Sequence, residues 1–590
     1  MRFKKSMVVA AASIMLVSPF SASAGAGGEK VVEQLGEKTR IQLQNGDSQA
    51  GSMNTFSVQS VQTKEQQAAS FVQQYAGISN ANSNLELVSE QTDDLGMTHL
   101  RFQQVKDGVP VMGHELIVHF DKKGNIQSVN GHYLAEVEQL SADPSPAVTA
   151  SEALEAAIDA VNAPDELVDS SAELIYYPIG GSVPLTYKAN VNFLSEKPGD
   201  WYVFIDAETG EVLDKYNTIH NMADAAGLQS EGTETVSEES SVNTASDSSV
   251  SIMVSPEDIN PLDYRGSGGA GLGVLGDHRN LKISHTAGDR GRDFHLIDFS
   301  RPDLDGIFTF DAQYQTSLPG VPYANNNASF KDERSGAGVD AHYNSTIVYE
   351  YFLEEHGRNS IDDNGMPLVS TVHYGNEFNN AFWNGRQMTY GDGDGEFFIP
   401  LSAGLDVAAH EIAHGVTAHT AGLVYRYQPG AVNEAISDIF GVLVDDSSWD
   451  VGDNIMAPAQ VEAGRTALRS LEEPGKFQVN EDYWEYGDGS GRYPSHMDEY
   501  YDLPRNLDNG GVHTNSSIIN HAAYLIGIET GREVLGQIVY RALTVYLTSN
   551  SDFQDTRFAF VQSAKDLYGE DSEVVELTEA GFDGVGIYEE

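Results

Sequence analysis

The sequence predicts an α+β protein that is divided into several folding units. Its 590 residues are several times the length of an average domain, so a single core is not expected to hold the whole chain. Strand-like alternation with one helical stretch fills the part before residue 221, and strand and turn patterns return after residue 257. From Ser402 onward the apolar spacing becomes helical. We therefore expect an α+β N-terminal part, then a β-rich unit, then an α-helical unit.

Residues 1–24 have the pattern of an export signal. Basic residues fall among the first five, an apolar run covers 7–20, and Ala22-Ser23-Ala24 offers small residues for cleavage. A membrane anchor is the alternative, but the run falls short of the roughly 20 apolar residues that span a bilayer. We expect a secreted, extracellular product without a membrane anchor.

The composition excludes some classes of partner and site. The formal net charge of -54, from 34 basic and 88 acidic residues, repels nucleic acid and anionic membranes and favours a monomer. Cysteine is absent, so the chain offers neither disulfides nor thiolate metal ligands. Nucleic-acid binding is therefore not expected.

The N-terminal part has strand patterns but no catalytic constellation. Strand-like alternation runs through residues 115–120 and 201–206, each stretch ending at a turn, and a helical stretch covers 151–161. Between residues 221 and 257, Ser, Glu, Thr and Asp replace large apolar residues, a composition typical of an exposed linker. The linker divides the chain into two unequal parts.

A helix that Ser402 can cap and Gly422 can end carries two histidines at metal-binding spacing. His410 and His414 lie one turn apart on the same face, so both rings can bind one zinc ion. Glu411 lies beside them and can act on a water molecule. The alternative is a coincidental pattern on a buried helix, because the motif alone is not decisive.

A second predicted helix supplies a carboxylate. Glu434 lies twenty residues beyond His414, on a helix with a clear apolar side. Two histidines and one carboxylate leave the fourth tetrahedral position to water, which is typical of a catalytic rather than a structural zinc site. Asp438, one turn later, can accept the free ring N–H of a ligand histidine. The alternative for both acidic residues is a solvated acidic face.

Five segments resemble the thermolysin family of neutral metallopeptidases, with a precursor of the bacillolysin type. In chain order the segments are NNAFWNG, YGDGDG, HEIAH, GAVNEAISDIFG and NGGVHTNS. The match extends from about Gly271 to Gly586. The resemblance implies a catalytic unit of two subdomains, β-rich over 262–407 and α-helical over 408–590. It also implies a zinc metalloendopeptidase with one catalytic Zn2+.

The resemblance implies a role for each residue around the motif. The zinc ligands would be His410, His414 and Glu434. Glu411 would be the general base, Tyr425 and His513 would stabilise the oxyanion, and Asp508 would orient His513. The sequence leaves open whether Glu411 or His513 is the true base.

The resemblance also implies substrate-binding residues. Arg469 would hold a substrate carbonyl, and an ordinary ion pair is its alternative role. The strand and backbone groups that pair with an extended substrate would be Asn380, Ala381 and Trp383. The main specificity pocket would be lined by Phe398, Leu401, Val407 and Leu468. Because all four are apolar, cleavage is expected on the amino side of large hydrophobic residues.

Calcium is implied by a part of the family pattern. Candidate ligands of a central calcium site are Asp406, Asp445, Asp450 and Asp453. The loop at 446–449 is shorter than in thermolysin, so we expect one structural Ca2+ and leave a second open. Asn325 and Asn327 stand where the family can have aspartates, so a peripheral calcium site is expected to be lost.

Residues 25–261 resemble a propeptide. One module covers about 85–137, an inhibitor-like module covers about 146–220, and the linker at about 221–257 follows. The resemblance implies that the propeptide assists folding and blocks the active site until it is cut. The expected partners are therefore this propeptide and protein or peptide substrates. The alternatives are a binding domain kept in the mature protein, a zinc-containing binding protein without catalysis, and a protease with one narrow target.

Overall fold

The fold is that of a computed structural model, which describes residues 63–76, 78–140, 145–165, 167–194, 198–219, 255–286 and 293–589, and the backbone at 30–35 and 38–43. The predicted export signal and the predicted linker up to residue 254 lie outside the described residues. None of the helices in the described part is both long and apolar enough to cross a membrane. We call residues 30–219 the N-terminal region and residues 255–589 the C-terminal unit.

Strands dominate the N-terminal region. Its helices are α1 (Lys64–Tyr75), α2 (Ala81–Asn84) and α3 (Ala150–Val161). Its strands are β1 (Lys30–Leu35), β2 (Lys38–Leu43), β3 (Leu85–Thr92), β4 (Thr98–Lys106), β5 (Val109–Phe120), β6 (Ile126–Gly131), β7 (Asp169–Tyr176), β8 (Leu185–Phe193), β9 (Gly199–Asp206) and β10 (Val212–Asn217). They form one sheet in the order β1-β2-β6-β5-β7-β8-β9-β10, with β4 also paired to β5 and β3 to β4. The strands and the helix predicted from the sequence are therefore present.

Helices cover this sheet in two places. α3 begins with a capping box, in which Thr149 accepts a hydrogen bond from the Glu152 amide and the Glu152 carboxylate accepts one from the Thr149 amide. The apolar side of α3 buries Ala153 and Ala157 in a core shared with β8 and β9. α1 buries Val72 in a second core with side chains of β4 and β5. Each half of the region thus has its own apolar core.

The C-terminal unit begins with short strands and ends with helices. Its strands are β11 (Tyr264–Leu272), β12 (His278–Thr286), β13 (Phe294–His295), β14 (Ile297–Asp298), β15 (Ile307–Asp311), β16 (Val321–Pro322), β17 (Ala324–Asn325), β18 (Ser329–Phe330), β19 (Leu368–Val372), β20 (Ala381–Trp383), β21 (Met388–Tyr390), β22 (Asp450–Val451) and β23 (Arg469–Ser470). Its helices are α4 (Ser335–His356), α5 (Leu405–Ala418), α6 (Tyr427–Val444), α7 (Pro458–Glu462), α8 (Asp508–Thr530), α9 (Arg532–Arg541), α10 (Phe553–Tyr568) and α11 (Glu573–Gly584). The predicted α+β class, with the β-rich part before the helical part, is confirmed.

Two main sheets form the β-rich part. One has the order β17-β13-β12-β11-β18, and the other has the order β14-β15-β19-β21-β20 with β16 beside β15. In the second sheet β15, β19 and β21 run parallel, and β20 lies antiparallel at the edge. Ile259 packs with Ile297, Phe308 and Phe310 of this sheet. Ile259, which precedes the predicted start of the β-rich subdomain at residue 262, thus packs against this sheet.

α5 and α6 form the centre of the helical part. Residues 406–417 of α5 and 430–443 of α6 are buried. α5 packs against α4 and β20 on one side and α6 on the other, while α6 also packs against α8. Polar side chains on these two helices are therefore held in a dry, closely packed environment.

α5 does not begin where the sequence predicted. Its first residue is Leu405, and Gly404 occupies the position before the helix. The Ser402 hydroxyl instead donates a hydrogen bond of 3.0 Å to the Ala337 carbonyl on α4. The prediction of Ser402 as the cap was wrong because a partner from another element takes its hydroxyl. At the other end the helix stops at Ala418, before the predicted Gly422.

The N-terminal region packs directly on the C-terminal unit. Its side chains donate hydrogen bonds to backbone carbonyls after α9: Arg101 to Leu547 at 2.9 Å and Asn130 to Tyr546 at 2.8 Å. From the C-terminal unit, the Asn509 amide group donates to the Asn217 carbonyl at 3.0 Å. These contacts place both halves of the N-terminal sheet against the helical part.

Candidate active site

α5 and α6 bring two imidazole rings and a carboxylate to one point. His410 Nε2 and His414 Nε2 lie 2.9 Å apart. Glu434 Oε2 is 3.6 Å from His410 Nε2, and Glu434 Oε1 is 3.4 Å from His414 Nε2. All three side chains are buried. No other three His, Asp or Glu side chains among the described residues bring ligand atoms within 4.8 Å of one another.

The separations and the chemistry of these atoms fit zinc. Ligands about 2.1 Å from a tetrahedral ion lie about 3.4 Å apart, close to the three distances above. Two imidazole nitrogens and a carboxylate are ligands that zinc accepts, and such a set leaves one position open. Two ring nitrogens buried 2.9 Å apart also call for a shared cation, because two bare lone pairs repel. The structure thus brings together the three side chains that the sequence predicted as zinc ligands: His410, His414 and Glu434.

Acceptors behind both histidines hold the rings. Asp438 Oδ1 lies 2.9 Å from His410 Nδ1, as the one-turn spacing from Glu434 predicted. His414 Nδ1 lies 2.9 Å from Asn433 Oδ1 and 3.0 Å from the Ser437 hydroxyl. When Nδ1 carries the hydrogen, Nε2 is left as the metal-binding atom. Asn433 and Ser437 were not predicted as site residues, although both lie within one helical turn of Glu434.

The Glu411 carboxyl group is fully buried beside these ligands. It lies near the backbone of Trp383 on the edge strand β20, but neither carboxyl oxygen has a hydrogen-bond partner among the described residues. Burial is the main reason that the pKa of Glu411 is raised to about 7; His410 opposes the rise, and Glu434 adds to it. A carboxylate near a pKa of 7 can both accept and return a proton around neutral pH.

Tyr425 and His513 form a pair of donors on the other side of Glu434. The Tyr425 hydroxyl lies 2.5 Å from Glu434 Oε1 and 2.9 Å from His513 Nε2. His513 Nδ1 lies 2.6 Å from Asp508 Oδ1. Burial lowers the pKa of His513, but Glu434 and Asp508 outweigh it and raise the pKa to about 9. With Asp508 at Nδ1, the ring can present Nε2 as a hydrogen-bond donor when it is protonated.

A left-handed turn positions His513 and Asp508. The residues from Asp508 to Gly511 all have positive φ, between 46° and 91°, before the regular part of α8 begins. A Cβ on Gly510 would come within 2.3 Å of the Tyr427 ring, so both the backbone angle and the space require glycine here. The turn lets Asp508 accept hydrogen bonds from the Thr514 amide and the His513 ring at once.

Arg469 lies in a buried ion pair with Asp438. Its Nε and Nη2 donate to the two carboxylate oxygens at 2.8 and 2.7 Å, and Asn520 Nδ2 donates to the same carboxylate at 2.8 Å. Burial alone would raise the pKa of Asp438, but Arg469 and His410 lower it to about 2. Arg469 Nη1 has no hydrogen-bond partner among the described residues. Arg469 thus fixes Asp438 and keeps one donor for the predicted substrate carbonyl.

The predicted substrate-binding residues fall into two groups. Ala381 and Trp383 lie on the edge strand β20, directly after Asn380, and Trp383 contacts α5 near Gly415. The predicted pocket residues are fully buried in the main core of the C-terminal unit: Phe398, Leu401, Val407 and Leu468. Their apolar character is as predicted, and their role in specificity stays a prediction.

The predicted calcium ligands are only partly gathered. Asp406 is buried at the start of α5, and its carboxylate accepts a hydrogen bond from the Gly452 amide. Burial, with the nearby charges of Asp445 and Asp453, raises the pKa of Asp406 to about 7. Asp450 instead accepts a hydrogen bond of 2.8 Å from Lys476 Nζ. Asp445 and Asp453 thus act on Asp406 by charge, and Asp450 acts on Asp453 although it also pairs with Lys476.

The N-terminal region reaches this site. Tyr425 and Val512 share an apolar cluster with residues of the N-terminal region: Ile175, Tyr177, Phe204 and Tyr216. Next to that cluster Asp214 pairs with Arg426, at 2.8 Å, and with Arg505. These two arginines could not be predicted from the sequence because their partner lies more than 200 residues away. The N-terminal region thus covers the donor side of the site.

Known proteins show the same organisation. Family models described as the catalytic domain and the alpha-helical domain of thermolysin metallopeptidases match residues 268–418 and 421–587, and a fungalysin/thermolysin propeptide motif matches 83–133. Thermolysin of Alicyclobacillus acidocaldarius subsp. acidocaldarius is 38% identical over 529 residues, covering 86% of this chain and 87% of the relative. Bacillolysin of Bacillus amyloliquefaciens is 37% identical over 519 residues, covering 86% of each.

Among solved structures, the precursor of protealysin, a metalloproteinase from Serratia proteamaculans, is 34% identical and covers 48% of this chain and 87% of its own, with a TM-score of 0.42. The family models follow one another along the C-terminal unit in the order of its β-rich and helical parts. The propeptide motif falls in the N-terminal region that covers the site. The chain therefore belongs to the thermolysin family, as a zinc metalloendopeptidase made with a propeptide in zymogen form.

Proposed function

We propose that the processed enzyme is a secreted, monomeric endopeptidase that cleaves on the amino side of large hydrophobic residues, with Glu411 as the general base. The observation that carries the proposal is the position of Glu411. It lies one residue after the ligand His410 and next to the backbone of the edge strand β20. A substrate paired with β20 would bring its scissile bond alongside Glu411.

Proton transfer and hydrogen-bond donation fall to different residues of the site. The chemistry that zinc supplies at such a ligand set is Lewis acidity, which lowers the pKa of water and polarises a carbonyl. Glu411 takes the proton of the attacking water and returns it to the leaving amine. His513 has acidic partners at both ring nitrogens, Asp508 and Glu434, so it serves as a hydrogen-bond donor together with Tyr425. These partners favour Glu411 over His513 as the base.

Casein hydrolysis by the processed protein tests the proposal. We expect cleavage that a zinc chelator abolishes and that added zinc restores, and mass spectrometry of the products should place most cuts before Leu, Phe, Ile or Val. Chelator-resistant hydrolysis would argue against the zinc site. No hydrolysis at all would favour a zinc-containing binding protein, and cuts before charged residues would refute the apolar pocket.

We also propose one structural calcium ion at Asp406, Asp445 and Asp453. Burial and the charges of Asp445 and Asp453 raise the pKa of Asp406, and burial with the charges of Asp445 and Asp450 raises the pKa of Asp453, so a hard cation with oxygen ligands would relieve this repulsion. Calcium at about 100 times its Kd should therefore stabilise the folded protein by about 2.7 kcal/mol. Thermal unfolding of the Glu411→Gln chain, with calcium chloride against magnesium chloride, measures this. Equal melting temperatures in the two salts would exclude a calcium site.

Acid should loosen the propeptide from the enzyme. His119 is buried between His99, at 2.8 Å, Asn130, at 2.7 Å, and the Tyr546 ring, which stacks on it at 4.6 Å. The other charged groups acting on it are the cations Arg541 and Arg101. Burial, then His99, lowers the pKa of His119 well below its ordinary value of 6.5.

The lowered pKa of His119 sets the direction in which pH changes the docking of the propeptide. Docking is undiminished above pH 6.5, because His119 is neutral whether the interface is closed or open. As the pH falls below 6.5, only the opened form gains a proton, so the interface loses about 1.4 kcal/mol per pH unit until the lowered pKa is reached. Hydrogen exchange at residues 541–549 of the Glu411→Gln chain should speed up at pH 5 relative to pH 8, after correction for the intrinsic rate. The His119→Phe chain, which keeps a stacked ring, should show a smaller change.

A further inference from the structure

Asp214 of the propeptide inserts a buried carboxylate into the catalytic unit. Its side chain is 1% exposed. Arg426 Nη1 donates to Asp214 Oδ2 at 2.8 Å, and Arg505 Nη1 pairs with Asp214 Oδ1. The Tyr177 hydroxyl also donates to Asp214 Oδ2. One anion of the propeptide is thus met by two guanidinium groups of the enzyme.

Both arginines lie on the segments that lead into the catalytic helices. Arg426 directly follows Tyr425 and occupies the position before α6. Arg505 lies three residues before Asp508, at the start of α8. The ring of Tyr216, which the Arg426 guanidinium faces at 5.4 Å, belongs to the apolar cluster that includes Tyr425. The Asp214 carboxylate therefore lies next to the donor side of the site.

Among the described residues of the catalytic unit, neither Arg426 nor Arg505 has a carboxylate partner. In the ion pairs found across the described ranges, Arg426 and Arg505 pair with Asp214 alone. The acidic residue nearest in sequence to the catalytic His513, Asp508, is committed to that ring and to Thr514. Some other arginines of the unit pair with its own carboxylates, as Arg334 does with Asp311 and Arg469 with Asp438. Two neighbouring cations whose carboxylate partner comes only from the propeptide are unexpected in a chain with 88 acidic and 34 basic residues.

We propose that Arg426 and Arg505 form an anion subsite of the processed enzyme, which receives an acidic side chain of the substrate and which Asp214 fills in the zymogen. The inference rests on the proposed role of the Tyr425 and His513 side as part of the substrate cleft. Removal of the propeptide uncovers both guanidinium groups at once. Hydrogen bonds between charged groups at a partly buried site then favour substrates with an Asp or Glu side chain at one fixed position.

Paired peptides test the subsite in the wild-type processed enzyme. Each pair carries Leu after the scissile bond and differs only by Asp or Asn at one position, and the pairs scan the positions on both sides of that bond. We expect kcat/KM to favour Asp about tenfold at one position. The preference should shrink as ionic strength rises from 0.1 to 1 M, because the screening length falls from about 10 Å to about 3 Å. An Asp to Asn ratio near one at every position overturns the proposal.

Arginine variants test whether Arg426 and Arg505 form the proposed anion subsite. Arg426→Gln and Arg505→Gln should each lower the Asp to Asn ratio about tenfold toward one, while Arg492→Gln, which changes an exposed arginine that donates to the Gly475 carbonyl, should leave it unchanged. If the ratio survives in the double variant, the subsite lies elsewhere and the proposal is wrong. If the variants alter only processing of the zymogen, the arginines serve the propeptide alone and the proposal is equally wrong. Failure of every peptide to be cleaved would instead refute the proposed function.

Discussion

Glu411→Gln in the processed enzyme lowers kcat/KM for peptide hydrolysis by about 10³-fold and leaves zinc bound. The substitution keeps the size and burial of the side chain and removes its ability to accept a proton. The proposed zinc ligands His410, His414 and Glu434 are untouched. The groups behind the two histidines are also unchanged: Asp438, Asn433 and Ser437. The effect should therefore appear in kcat, with the metal content unchanged.

The measurement needs zinc content and kinetics on the same sample. Because the chain cannot then cleave itself, the Glu411→Gln zymogen must be processed by a small amount of wild-type enzyme, which is removed before assay. Glu529→Gln is the matched control, because Glu529 is exposed on α8 and its replacement should leave kcat/KM unchanged. Full activity of a zinc-loaded Glu411→Gln enzyme would disprove the assignment and point to His513 as the base.

Local spacing accounts for the part of the site that could be predicted from sequence. His410 and His414 are one turn apart on one helix, and Asp438 is one turn beyond Glu434, so helix geometry alone places each pair on a common face. The depth of burial did not follow, because the sequence left a solvated acidic face open for Glu434 and Asp438, and the structure buries both. Spacing along the chain does not give the relative orientation of the two helices. That orientation places Asn433 and Ser437 against His414.

Contacts with residues distant in the chain explain why some predictions were wrong and why some site residues were not predicted. Ser402 has the chemistry of a helix cap, but the Ala337 carbonyl on α4 takes its hydroxyl. Arg426 and Arg505 look like surface cations in the sequence, and only the docked propeptide shows that Asp214 joins them. Asp450 was grouped with its acidic neighbours, whereas Lys476 from a later loop pairs with it. Each of these contacts depends on packing between elements that are distant in the chain.

Arg469→Met should destabilise the catalytic unit by about 3–5 kcal/mol, the largest stability effect that we predict. Arg469 is 1% exposed, and its two hydrogen bonds neutralise the fully buried Asp438. Methionine fills much of the volume but leaves the Asp438 charge with His410 and Asn520 as its remaining partners. Urea unfolding in the Glu411→Gln background, which prevents self-digestion, gives the change in free energy.

A double variant separates the buried charge from lost packing. Adding Asp438→Asn to Arg469→Met removes the uncompensated charge. The double variant should therefore be more stable than Arg469→Met alone. The double variant should nevertheless bind zinc about 10–100 times more weakly, because the acceptor behind His410 is weakened. Asp277→Asn is the control: it breaks an ion pair with Arg279 in which Asp277 is 48% exposed, and it should cost less than about 1 kcal/mol. If Arg469→Met proves no more costly than this exposed pair, Arg469 acts only on substrate, and the ion pair with Asp438 does not hold the site together.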